Sequence, residues 1–128
     1  MKRTIAVGFI SSIILVGIFL YKSASLNNGK LHIVFCNVGQ GDAIFIRSPS
    51  GKDILVDAGP NNKVIDCLSR HMPFWDKTIE IAILTHPHSD HLNGFLDVLK
   101  NYKVLSFVTL DLKNNTSSFN AMLESLKE

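Results

Sequence analysis

Between Ile5 and Tyr21 the chain reads IAVGFISSIILVGIFLY, a charge-free run preceded by Lys2 and Arg3 and followed by Lys22. No other feature restricts the fold as strongly, because so apolar a helix must either enter lipid or be packed on every side. As a helix the run would measure about 26 Å at 1.5 Å per residue, close to the ~30 Å hydrocarbon layer. Packing as a buried helix is the blander reading, but nothing else in the chain is comparably apolar to cover it. Two membrane readings remain. One is an uncleaved anchor, with residues 5–21 in the membrane. The other is a signal peptide cut after Ser25, since Ser23 and Ser25 are small residues of the kind a signal peptidase inspects. The length of the run and the charge at Lys22 favour the anchor. Lys2 and Arg3 put the N-terminus in the cytoplasm, which makes the remainder extracytoplasmic at a bacterial cell membrane, in a single-pass arrangement. Lys22 and Lys30 work against that orientation, and cleavage would give a secreted protein instead.

The 128 residues therefore divide into a membrane anchor or signal peptide at 1–25, a linker at 26–30 and one globular region at 31–128. The net charge of +2 comes from Lys2, Arg3 and Lys22; the remainder carries ten Lys and Arg against eleven Asp and Glu. That balance leaves no basic stripe for nucleic-acid binding. Two cysteines, Cys36 and Cys67, are too few for a disulfide scaffold and read as small buried residues.

After the linker, Leu31–Val38 reads as a strand covered on both faces. Gly39–Asp42 turns the chain into a second strand, Ala43–Arg47, and Ser48–Lys52 has the composition of a hairpin turn. A third strand, Asp53–Asp57, completes an antiparallel meander. A helix is expected over Lys63–His71, capped by Asn61 or Asn62 and closed by Pro73. Ile79–Thr85 then reads as a buried strand, Leu92–Lys100 as a helix, Val104–Leu110 as a strand and Ser118–Lys127 as a helix. In the last of these, Phe119, Met122, Leu123 and Leu126 form a core-facing stripe. A hairpin sheet followed by alternating strands and helices is an α/β layered domain.

The chemistry is concentrated in LTHPHSDH, Leu84–His91, which holds three of the five histidines. His86, His88, Asp90 and His91 follow directly on a strand, where ligand sites cluster in α/β sheets. His86 and His88 can turn toward one ion, and Asp90 and His91 toward a second. Imidazole with carboxylate suits zinc, and two such ions would clamp a bridging hydroxide.

THPHSDH resembles the HxHxDH signature of the metallo-β-lactamase superfamily. The upstream VGQGDAIFIRSPSGKDILVDAG, Val38–Gly59, resembles the opening of the hydrolase-like domain of the ComEC/Rec2 competence proteins. The resemblance implies that His86 and His88 bind the first zinc and that Asp90 and His91 bind the second. Asp90 would be the catalytic residue holding the attacking water. Asp57 would orient a histidine or the loop, and Asp42 would lie near the metal loop. It further implies a metal-dependent hydrolase acting on DNA or another phosphodiester. Gly39 and Gly41 read as turn requirements.

Departures from the family pattern matter as much. Asn37 stands where relatives commonly carry an aspartate, and Asn93 replaces a small residue. The family completes its site with two further histidines and a bridging aspartate from the second half of an αββα sandwich. Here no histidine follows His91, and the later aspartates are Asp97 and Asp111. The expected fold is thus the N-terminal half of a metallo-β-lactamase-like αββα sandwich, a partial domain over 31–128 and apparently truncated. With about two protein ligands per ion, such a site falls short of the three that catalytic zinc usually keeps. The alternative to a hydrolase is a non-catalytic metal-binding remnant or a membrane-anchored interaction domain, with self-association or a completing second half as its partner.

Overall fold

In the computed structural model, which describes residues 2–26, 28–110 and 116–126, the apolar run lies within one long helix, α1 (Lys2–Leu26). Its stretch Ala6–Leu26 is the one candidate membrane span among the described residues, with a mean hydropathy of 1.8 and no residue of that window buried. These 21 residues extend for about 32 Å, enough for a ~30 Å hydrocarbon layer. The helix is longer than the charge-free run because Lys22–Leu26 continue it, one residue into the expected linker.

Beyond α1 the chain forms a five-stranded mixed sheet in the order β1-β2-β3-β5-β7. The strands are β1 (His32–Phe35), β2 (Ile44–Arg47), β3 (Asp53–Val56), β5 (Ile81–Leu84) and β7 (Phe107–Thr109). The first three pair antiparallel, as the tight turns between them require, whereas β5 and β7 join parallel to β3 and to each other. Parallel neighbours need crossovers. These are α2 (Lys63–His71) between β3 and β5, and α3 (Ser89–Leu92) with α4 (Gly94–Asn101) between β5 and β7.

One face of the sheet is covered. Phe45, Leu55, Ala82 and Leu84 meet Val64 and Leu68 of α2 and Phe95 and Val98 of α4, all buried. A last helix, α5 (Ser117–Ser125), adds Phe119 and Met122 to this core. Leu123 of the expected stripe stays 36% exposed, and Lys127 lies outside the described residues. The opposite face is apolar but open. In register across it run Ile33, Ile46, Ile54 and Ile81, and beside them Phe35, Ile44, Val56, Ile83 and Val108. None of the nine is buried, and Phe35 is 78% exposed.

Leu31–Val38, expected as a strand covered on both faces, is the four-residue β1 with Ile33 and Phe35 exposed, and the structure departs from the sequence reading in three further places. Ile79–Thr85 is not one strand: β4 (Thr78–Ile79) pairs with β6 (Lys103–Val104) in a separate two-stranded sheet, while β5 starts at Ile81. Glu80 makes the switch. Its backbone N–H donates to Asp53 O at 2.9 Å, and its carboxylate accepts from Asp53 N at 2.7 Å. The helix expected over Leu92–Lys100 starts earlier and is interrupted at Asn93, because Gly94 N–H turns out to donate to Gly59 O at 2.9 Å. Finally, Cys36 and Cys67 are joined in a disulfide, with Cα atoms 5.7 Å apart, instead of being merely buried. The bond ties the chain just past β1 to the middle of α2.

Candidate functional site

The C-terminal ends of β3 and β5 lie side by side because the two strands are parallel. Three loops meet there: Gly39–Asp42, Asp57–Pro60 and Thr85–His88. Backbone hydrogen bonds stitch them together. Asp57 N donates to Ile83 O and Ala58 N to His91 O at 2.8 Å, and Gly59 N donates to Asp42 O at 2.9 Å. Gly41, at φ +134°, passes directly under the Asp90 carbonyl, so a side chain there would overlap it. Gly94 is equally confined, because a Cβ would run into the Ala58 carbonyl. The histidine loop is therefore set on a rigid base.

Asp57 organises this base. It is the one described residue other than glycine with a positive φ, 55°, and it is buried. Its carboxylate accepts from Thr85 N at 2.9 Å, from Thr85 Oγ1 at 2.7 Å and from His91 Nδ1 at 2.9 Å. Having given its proton to Asp57, the Thr85 hydroxyl accepts from His86 Nδ1 at 3.0 Å. That chain has Nδ1 of both His86 and His91 donating, which in the neutral rings is the Nδ1–H tautomer with Nε2 as the acceptor atom. Thr85 was not singled out from the sequence, where it read only as a strand residue. Its position next to His86 at a strand end was the available signal.

His91 is buried, His86 half-buried and His88 exposed. The ring of His86 lies 4.0 Å from that of His91 and 4.7 Å, edge to face, from that of His88. His91 Nε2 stands 3.7 Å from an Asp90 carboxylate oxygen and 3.9 Å from one of Asp42. The side chain of Asp42 is 74% exposed and that of Asp90 42%. An open polar cavity of about 600 Å³ beside them is lined by Gln40, Lys63 and Asp90.

The expected zinc is not supported by this arrangement. Among the described residues no group of three or more His, Cys, Asp or Glu side chains is placed to hold a metal ion. Zinc needs three or four converging donors. Here the carboxylates beside His91 Nε2, those of Asp90 and Asp42, stand 3.7 and 3.9 Å away and are 42% and 74% exposed, so no third donor converges with the imidazoles among the described residues. Asp97 lies on α4, and Asp111 lies outside the described residues. The donor set does not fit the ion, and this overturns the reading of the chain as a zinc-dependent hydrolase.

Lineage is clearer than chemistry. Residues 36–116 match the Metallo-beta-lactamase superfamily, and the chain belongs to that superfamily. Among curated proteins it is similar to a hydroxyacylglutathione hydrolase of Pectobacterium carotovorum, 39% identical over 49 residues, covering 38% of this chain and 18% of the relative. It is also similar to the exodeoxyribonuclease WalJ of Streptococcus pneumoniae, 27% identical over 97 residues, covering 76% of this chain and 34% of the relative. The chain thus spans about a third or less of the curated relatives it matches.

Proposed function

We propose that this protein is a membrane-anchored, non-catalytic domain of the metallo-β-lactamase fold that works by binding another polypeptide. In this reading residues 1–25 are the anchor, 26–30 the linker and 31–128 one sheet layer of a metallo-β-lactamase-like sandwich. The finer likeness to ComEC/Rec2 competence proteins rests on Val38–Gly59 and is part of the same proposal.

The observation that carries the reading is the open sheet face, where nine apolar side chains stand in two rows and, among the described residues, none is buried. Apolar patches of that extent mark interaction surfaces, and a sheet apolar on both faces is a middle layer. The partner is a second copy of this chain or a polypeptide that supplies a second sheet. His91, Asp57 and Thr85 then serve to hold the loop in place, while His86, His88, Asp90 and Asp42 form a polar rim near the strand ends.

Two measurements on the full chain in detergent micelles test this. With linear DNA or hydroxyacylglutathione, the substrates named by the relatives, no hydrolysis above buffer is expected, with or without added zinc. Turnover that is abolished by His86→Ala would refute the non-catalytic reading. In sedimentation experiments the chain is expected to associate, and Ile46→Glu or Ile54→Glu is expected to reduce that association without unfolding the domain. A wild-type monomer that also captures no sheet-forming partner would refute the interaction reading.

A further inference from the structure

Immediately after α2 the chain forms an aromatic knuckle. Pro73 stops the helix, Asp76 N–H closes a turn onto Pro73 O at 2.9 Å, and Phe74 and Trp75 project from that turn. They are 72% and 47% exposed, although each is large and apolar. Their rings pack edge to face at 4.9 Å, and both touch Phe19 of α1, at 6.0 Å and 4.9 Å between centroids. Between knuckle and helix lies a cavity of about 340 Å³ lined by Leu15, Ile18, Phe19, Met72 and Arg70, among others.

The place of this contact along α1 gives its depth. Phe19 lies two residues before Tyr21, where the charge-free run ends, and Leu15 lies six before it. At 1.5 Å per residue these positions are about 3 Å and 9 Å inside the end of the run. A knuckle that touches Phe19 and shares a cavity with Leu15 sits at the boundary between hydrocarbon and headgroups, where tryptophan and other aromatics anchor membrane proteins. No residue of the candidate span is buried in the protein, and the knuckle is continuous with it through Phe19, so the two surfaces meet the same surroundings.

We infer that Phe74, Trp75 and the adjoining cavity form a lipid-docking site that seats the globular domain on the leaflet from which α1 emerges. Acyl chains fill the apolar floor made by Phe19, Phe74 and Trp75. Arg70, which lines the cavity, provides the cation for a lipid phosphate. The inference rests on α1 being an anchor, and the two are separable by experiment.

Trp75 is the single tryptophan in the sequence, so its fluorescence reports the knuckle directly. The full chain is reconstituted in phosphatidylcholine–phosphatidylglycerol vesicles whose acyl chains carry bromine at a shallow or a deep position. Expected are blue-shifted emission, protection from acrylamide and at least twofold quenching by shallow bromines, with less from deep ones. Phe74→Ser, in a chain still folded by circular dichroism, should weaken that quenching. Emission open to acrylamide and unquenched by bromine, in protein that floats with the vesicles, would overturn docking and leave the anchor standing. Protection from acrylamide without bromine quenching would mean that protein covers the knuckle, and also overturns the proposal. Failure to float with vesicles would overturn the anchor itself.

Discussion

One carboxylate holds the histidine loop to the sheet. Asp57 accepts three hydrogen bonds, two from Thr85 and one from His91. Removing a buried acceptor strands its donors at roughly 1–3 kcal/mol each. Asp57→Ala should therefore lower unfolding stability by about 1–3 kcal/mol, chiefly through the buried His91 donor because Thr85 is exposed, read from urea titration. Asp57→Asn should lose less, since asparagine tolerates a positive φ and keeps one acceptor. If both variants are as stable as wild type, the loop is not held as described. A second carboxylate sets a pH dependence. Burial raises Asp53 from 3.8 to about 7; Arg47, 2.7 Å away, opposes this, and Asp76 and Glu80 add to it. The folded chain thus keeps a proton that the unfolded chain releases between about pH 4 and 7. The stability gained is complete below the unfolded value and is lost as pH rises through about 7. Thermal unfolding should accordingly fall from pH 5 to pH 8 in wild type, with a flatter profile in Asp53→Asn. His91 and Asp57 could be singled out from the sequence, because a histidine cluster and a strand ending in DAG are rare patterns. Arg47 and Asp53 could not be, since charges at strand ends are ordinary until two strands are placed in register.

Elements were readable wherever one local signal decided them. The helix over Lys63–His71 is found at those bounds, because Asn61, whose Oδ1 accepts from Lys63 N at 3.0 Å, begins it and Pro73 stops it. The three-stranded meander followed from its turns in the same way. What could not be read depended on partners far away in sequence. Glu80 divides a continuous apolar run by binding Asp53, and Gly94 breaks a helical pattern by bonding to Gly59. The disulfide belongs to the same group, since two cysteines 31 residues apart do not announce that a strand end and a helix will meet. Closing a loop of that length contributes about 3–4 kcal/mol in the chain-entropy estimate. The double variant Cys36→Ala/Cys67→Ala should lose about that much, and reduction of the wild-type chain should lower its stability to match. Gly94→Ala tests how α4 meets the β3–α2 loop. Its methyl would press on the Ala58 carbonyl, so a loss of roughly 1–3 kcal/mol is expected. A neutral result would mean that α4 can shift freely.

At the scale of the whole molecule, the anchor and the disulfide constrain each other. Lys2 and Arg3 precede the candidate span, and under the orientation proposed from the positive-inside tendency they lie in the cytoplasm. A chain crossing once then leaves everything after Leu26 on the other side. Persistent disulfides belong to oxidising spaces and are rare in the reducing cytosol, so the Cys36–Cys67 bond supports the proposed orientation independently of the charges. The two arguments can fail separately, which makes the topology testable without knowing the partner. In intact bacterial cells expressing the full chain, a maleimide reagent should label neither cysteine until a reductant is added, and then both. Protease added outside permeabilised outer layers should remove the globular domain and leave the α1 segment in the membrane. Thiols that react before reduction, together with protease resistance, would put the domain in the cytoplasm. That outcome would reverse the reading of Lys2 and Arg3 and turn the aromatic knuckle toward the inner leaflet. Reactive thiols in a protease-sensitive domain would instead preserve the orientation and remove only the disulfide. The open sheet face would then have to find its partner on a domain about 3–4 kcal/mol less stable.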